Sequence, residues 1–155
     1  MYYGTLLFVH LTGVALWIGS VLMTVFLLLS LKNKISSQDV SGVVTRVVKT
    51  LNRITHPAAF LVLLSGILML VSDRWGMENH DSFPFYITFM EQAGSLLILA
   101  FIIIITILGK KLTKKLAAGN VSAAQSSIQT YVWTSLLLII GVLAIVYIVS
   151  NQLGI

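Results

Sequence analysis

The sequence contains no cysteine, only two prolines among its 155 residues, and few charged side chains. The absence of cysteine excludes disulfide bonds, thiolate metal sites, iron–sulfur clusters and a cysteine nucleophile. Charged residues make up 10% of the chain, whereas a soluble domain carries about 25%. Hydrophobic residues make up 57% and the mean hydropathy is +0.97, so too few polar side chains remain to cover a water-soluble surface. The composition therefore predicts a single domain immersed in a lipid bilayer.

Four long apolar runs cover residues 4–31, 55–72, 83–108 and 131–151. Each has roughly the length that a bilayer core requires, which is about 20 residues in a helix. Because unpaired backbone groups cannot face lipid, the runs predict four transmembrane α-helices. The predicted fold is an all-α membrane four-helix bundle that forms one domain over residues 1–155.

The charges show which side of the membrane each connection occupies. Nine of the ten basic residues lie in two connecting segments, residues 31–55 and 109–130, whereas the segment 72–82 holds one basic and three acidic residues. The positive-inside rule places the two basic segments in the cytoplasm and both chain ends outside. We therefore expect the protein to reside in the plasma membrane, with the lipid bilayer as its partner. A net charge of +5 confined to these segments argues against nucleic-acid binding.

The first basic segment also carries a helical pattern over residues 39–54. Its apolar side chains recur with helical spacing at Val40, Val43, Val44, Val47, Val48, Leu51 and Ile54. The pattern predicts an amphipathic cytoplasmic helix between the first and second spans. Two forms stay open: a helix lying on the inner membrane surface, or a cytoplasmic extension of the second span that bends near Pro57.

One face of the first span carries the few polar and small residues in this run. His10, Gly13, Trp17, Ser20 and Thr24 follow a spacing of three and four residues, so they share one side of a helix. Small residues allow neighbouring helices to approach closely. The stripe is therefore predicted to face the interior of the bundle.

Several polar residues are predicted to share one depth near the outer surface. A rise of about 1.5 Å per residue places His10 about 8 Å and Glu91 about 9 Å below that surface. Polar groups inside a span are costly, which makes this level a candidate metal or haem site. The candidate ligands are His10, Glu91, Met90 and Met69, and the candidate supporting residues are Trp17, Tyr147, Gln92 and His80.

The chemistry of these residues leaves several alternatives open. Imidazole with a thioether suits Cu(I) or haem iron, and imidazole with a carboxylate suits Cu(II) or zinc. Glu91 can instead form a structural ion pair with protonated His10, or the pair can relay protons. His56 is expected about 20 Å or more from His10 along the membrane normal, so one haem cannot bind both. We interpret His56 as a helix-start residue that precedes Pro57.

Residues 7–19, LFVHLTGVALWIG, resemble the opening helix of the copper-resistance protein D family. That helix carries a histidine, a tryptophan seven residues later and then a glycine, which His10, Trp17 and Gly19 match. Residues 53–69, with Ser65 and Gly66, look like the family's next helix, in which a Thr-Gly pair is frequent. The HemJ-type membrane protoporphyrinogen oxidases, which bind haem through a histidine of the first helix, are similar. The resemblance implies that His10 binds copper or haem b.

Three functions are consistent with these observations. The leading prediction is a protein that binds copper or haem near the outer leaflet for transport or resistance, without an assigned catalytic residue. The second is a haem-b redox enzyme of the HemJ type, although the chain lacks the arginine after the first-span tryptophan and the basic residue within the third span that this enzyme would have. The third is a non-catalytic assembly subunit. A homodimer is compatible with all three, since the glycines of the spans offer close helix contacts.

Overall fold

A computed structural model describes residues 2–36, 38–75 and 85–153, and almost all of them are helical. Helix α1 spans Tyr2–Leu31 and is followed by a short 3-10 helix, Lys32–Lys34; α2 spans Gln38–Trp75, α3 spans Phe85–Ala117, and α4 spans Val121–Leu153. No strand occurs in the described ranges. All four α-helices are long and apolar enough to cross a membrane. The structure thus confirms the predicted all-α four-helix bundle.

Consecutive helices run antiparallel around the bundle. Helix α1 packs most extensively on α2 and α3 on α4, while contacts between α2 and α3 and between α1 and α4 close the ring. Each helix therefore neighbours those that precede and follow it in the chain, as expected for simply connected elements. The bundle has two different ends. The basic end comprises residues 32–54 and 109–130, and the terminal end is the opposite one, where α1 begins and α4 ends.

The helices extend beyond the apolar runs at the basic end. Helix α2 contains 38 residues, which corresponds to about 57 Å at 1.5 Å per residue, whereas a bilayer core is about 30 Å thick. Most of this excess is the predicted amphipathic segment, which forms the first half of α2. Val44 and Val48 from this segment are 0% and 1% exposed. Because they are buried inside the bundle, the structure selects the helix extension over a helix lying on the membrane surface.

Helix α2 continues unbroken through Pro57. Proline has no N–H to donate to the preceding turn, and two side chains next to it hydrogen-bond backbone carbonyls one turn earlier. The Thr55 hydroxyl donates to Leu51 O at 2.7 Å, and His56 Nδ1 donates to Asn52 O at 2.6 Å. The interpretation of His56 as a helix-start residue is wrong, because α2 begins at Gln38.

The predicted inward stripe of α1 forms its interface with α2. Gly13, Trp17, Ser20 and Thr24 are buried and His10 is half-buried. A Cβ atom added to Gly13 would stand 2.9 Å from Val62 Cγ2, so glycine is required for this close approach. A further contact ties the helices together about two turns deeper into the bundle, where the hydroxyls of Ser20 and Thr55 lie 2.8 Å apart.

The core runs along the whole bundle and is aromatic at its centre. The Trp17 and Phe101 rings meet edge to face with centroids 5.0 Å apart, and the buried core continues through Leu28, Ile105 and Ile128. Large apolar side chains also cover the outside, including Phe8 at 70% and Leu137 at 71% exposure. Such an apolar exterior is suited to contact with lipid chains.

Candidate functional site

A cavity of about 150 Å³ lies among the four helices in the terminal half of the bundle. Residues of all four helices line it, and its wall is mainly apolar. The exceptions include His10 from α1 and Glu91 from α3, with the thioether of Met90 beside them. The structure therefore brings three of the four candidate ligands to one cavity. Gly66 and Gly94 also line it, and no atom lies within 4 Å of a Cβ placed on Gly94.

His10 is held against α2 by one hydrogen bond and one close contact. Its Nδ1 lies 3.0 Å from Ser65 Oγ. Its ring packs over Gly66, where an added Cβ would stand 3.4 Å from His10 Cε1. Ser65 thus orients the imidazole ring through its hydroxyl, and Gly66 leaves room for the ring because it has no side chain.

The hydrogen bonds of Ser65 favour one tautomer of His10. The Ser65 oxygen lies 2.5 Å from Leu61 O and 3.2 Å from Val62 O, two backbone carbonyls of its own helix. A hydroxyl carries a single proton, so while that proton points to one of these carbonyls, the Ser65 oxygen accepts from His10. In this arrangement the proton of a neutral imidazole is on Nδ1, and the lone pair is on Nε2.

Trp17 lines the inner part of the cavity. It is 3% exposed, and its indole Nε1 is buried without an acceptor among the described residues. An unpaired buried donor costs about 1–3 kcal/mol. The wall of the cavity thus contains one unsatisfied hydrogen-bond donor in addition to the lone pair of His10.

Other predicted site residues lie elsewhere. Met69 is half-buried and Gln92 is exposed, and neither lines the cavity. Tyr147 is 67% exposed, and the preceding residue, Val146, lines the cavity instead. His80 lies outside the described residues. His10 and Glu91 line the same cavity, and the ion pair between them stays a prediction.

Sequence reasoning missed a second polar cluster, which connects α2, α3 and α4 at the basic end. His56 Nε2 lies 2.7 Å from Thr106 Oγ1, and the Tyr131 hydroxyl donates to Asn52 Oδ1 at 3.1 Å. Gly109 makes room for it, because a Cβ there would stand 3.0 Å from Asn52 Nδ2. Both ring nitrogens of His56 are engaged, so this histidine has no lone pair left for a ligand.

The donor set and the size of the terminal-half cavity test the two candidate cofactors. Among the described residues no group of three His, Cys, Asp or Glu side chains could hold a metal ion, so a copper site there would rest on one imidazole and a thioether, a set that suits Cu(I). A single ion fits a cavity of about 150 Å³. Haem would require a larger space than this cavity, because pockets for much smaller drug-sized ligands already measure about 300–1,000 Å³.

Comparisons with protein-family models, with curated proteins and with solved structures find no match to this chain. The shape of the cavity and the chemistry of the side chains that line it are therefore the basis on which a function can be assigned.

Proposed function

We propose that this chain is a copper-binding protein of the plasma membrane, with His10 and Met90 as ligands in the terminal-half cavity. One observation carries the proposal. His10 is oriented by Ser65 through Nδ1, which leaves the Nε2 lone pair beside a cavity that Met90 and Glu91 also line. With the basic end in the cytoplasm, the site lies near the outer leaflet, where it would serve copper transport or resistance.

The available donors favour Cu(I) over zinc. Zinc sites in proteins are almost always tetrahedral and use at least three protein ligands, whereas thioether donors select copper in its reduced state. Met90 is 45% exposed, and its unbranched side chain can adapt to a metal. The resemblance of residues 7–19 to the copper-resistance protein D family supports the same ligand.

Ser65 has a supporting role in this proposal. A ligating histidine normally donates its other ring N–H to a fixed acceptor, and loss of such a partner typically weakens metal binding about 10–100-fold. Ser65→Ala is therefore expected to weaken copper binding by this factor while it leaves Nε2 in place.

Titration of the purified protein with Cu(I) against a chromophoric Cu(I) chelator tests the proposal. We expect one Cu(I) bound per chain in the wild type, none in His10→Ala and weaker binding in Met90→Leu. Met23→Leu is the matched control, because Met23 is 53% exposed and does not line the cavity. Circular dichroism and gel filtration establish that each variant is folded.

Two results would contradict copper binding. A Soret band in protein expressed with added haem, lost in His10→Ala, would identify haem as the ligand and would require the cavity to open. Equally negligible copper, iron and zinc in the wild type and His10→Ala, with reduced stability of the variant, would leave His10 as a residue that holds α1 against α2. The chain would then be the non-catalytic assembly subunit.

A further inference from the structure

Four cationic side chains line one open cleft between α2 and α3 at the basic end. They are Arg46 and Lys49 from α2 and Lys110 and Lys114 from α3, and the cleft has a volume of about 720 Å³. The hydroxyl-bearing residues Ser41, Thr45 and Thr113 line it as well. No acidic residue of the described ranges lines the cleft, which is therefore strongly electropositive.

The packing of α2 on α3 staggers the four cations along the cleft. Asn52 of α2 lies beside Gly109 of α3, and the two helices run in opposite directions. Counted from this contact, Lys110 lies nearest the bilayer core, Lys49 and Lys114 follow, and Arg46 lies farthest out. Lys110 and Arg46 are about 8 Å apart along the bundle axis, and neighbouring cations are about 3 Å apart or less.

These four cations differ from Lys32 and Lys115 of the same end in having no side-chain partner within the described ranges. Lys32 donates to Gln129, and Lys115 donates to Ser127 Oγ at 2.7 Å, so both connect to α4. By contrast, no hydrogen bond or ion pair within the described ranges involves the four cations of the cleft. Like charges gathered in one cleft repel each other and attract a counter-anion.

The depth of the cleft places it at the surface of the bilayer. If the end of the third apolar run at residue 108 marks the edge of the bilayer core, Lys110 lies about 3 Å and Lys49 about 6 Å beyond it. The polar layer on each side of a bilayer core is about 5–8 Å thick. Lys110 and Lys49 thus lie at the height of lipid phosphates, and Lys114 and Arg46 lie just outside.

We propose that this cleft binds the headgroup of an anionic phospholipid that carries two phosphates. The positive-inside rule explains why these cations are on one side of the membrane. It does not explain why four of them line one cleft, whereas a headgroup with two phosphates would pair with cations along the whole of its length. The inference is independent of the copper site, which lies in the opposite half of the bundle.

Lipid retention by the full-length protein tests the inference. The protein is immobilised in detergent micelles that contain phosphatidylcholine and a small fraction of acyl-labelled cardiolipin, whose headgroup has two phosphates. We expect the wild type to retain one cardiolipin per chain in preference to labelled phosphatidylcholine. The double variant Arg46→Gln/Lys114→Gln is expected to bind cardiolipin about 30-fold more weakly, because each Lys or Arg at an anionic lipid surface contributes about fivefold.

Arg53→Gln/Lys111→Gln is the matched control. It removes the same charge from the same two helices, and both residues are exposed and outside the cleft. We expect its cardiolipin affinity to stay within about threefold of the wild type, since only screened long-range attraction is lost.

Three outcomes would overturn the inference. Equal losses in the two double variants would show general attraction between a basic surface and anionic lipid. Equal retention of cardiolipin and phosphatidylcholine by the wild type would show that the cleft does not select a two-phosphate headgroup. Displacement of cardiolipin by inorganic pyrophosphate at a comparable concentration would identify a site for a soluble anion.

Discussion

The close approach of α1 and α2 at Gly13 predicts a large effect of adding one methyl group. In Gly13→Ala the new Cβ would lie 2.9 Å from Val62 Cγ2 and 3.4 Å from both Ala58 O and Val62 N. Two of these three atoms belong to the α2 backbone, and the Val62 side chain has a single, stiff χ angle. The contact can therefore be relieved only if the helices separate or Val62 leaves its rotamer.

The expected cost follows from a comparison with Gly19→Ala on the same helix. Nothing lies within 4 Å of a Cβ on Gly19, and both substitutions share the gain in helix propensity of about 1 kcal/mol. That gain cancels in the difference between the variants. Inserting a methyl group into a packed interface costs about 1–3 kcal/mol, so Gly13→Ala is expected to be less stable than Gly19→Ala by this amount.

Equilibrium unfolding of the purified variants in mixed detergent micelles, followed by circular dichroism, gives both free energies of unfolding. Gly19→Ala should be as stable as the wild type or slightly more stable. If Gly13→Ala matches Gly19→Ala to within about 0.5 kcal/mol, a difference within the range of ordinary surface substitutions, the helices do not approach closely at Gly13 and the reasoning is refuted.

Two further predictions concern the second polar cluster. Tyr131→Phe removes the hydrogen bond to Asn52 Oδ1 and should lower the free energy of unfolding by about 0.6 kcal/mol, the average for hydrogen bonds between membrane helices, and by no more than about 1.7 kcal/mol. A double-mutant cycle with Asn52→Ala should recover most of this loss as coupling energy, and additive effects would refute the contact. Thr106→Val removes the partner of His56 Nε2 and should lower the free energy of unfolding by about 1 kcal/mol more than Thr130→Val does. Thr130 is the control because its exposed hydroxyl donates only to Ser126 O. Equal unfolding midpoints of the two variants would argue against a role for His56 in joining α2 to α3.

Helix ends show one limit of reading this sequence. The predicted spans stop near residues 31 and 108, where apolar residues give way to charged ones, and α1 indeed ends at Leu31. Helix α3 continues to Ala117 and α2 begins as early as Gln38. Hydropathy marks where lipid ends, whereas a helix ends where its backbone hydrogen bonds and packing end.

The rotation of a helix about its own axis is a second feature that the sequence did not predict in every helix. The depth of Tyr147 suggested a place beside His10 and Glu91, but its side chain is 67% exposed. Val142 and Val146 line the cavity in its stead. Position along a helix follows from residue number at 1.5 Å per residue, but the face that meets the neighbours depends on how all four helices pack. On α1 the rotation was predictable because polar and small residues formed one stripe, and α4 has no stripe of that kind near Tyr147.

The sequence by itself determined the number of spans, the separation of basic and acidic ends and the inward face of α1, because each of these depends on local composition and period. Only the tertiary structure decided that Ser65 orients His10, that His56 pairs with Thr106, and that four cations line one cleft. Each of these results joins residues at least 50 positions apart or on different helices. Such pairings depend on the register and rotation of packed helices, which a one-dimensional pattern does not contain.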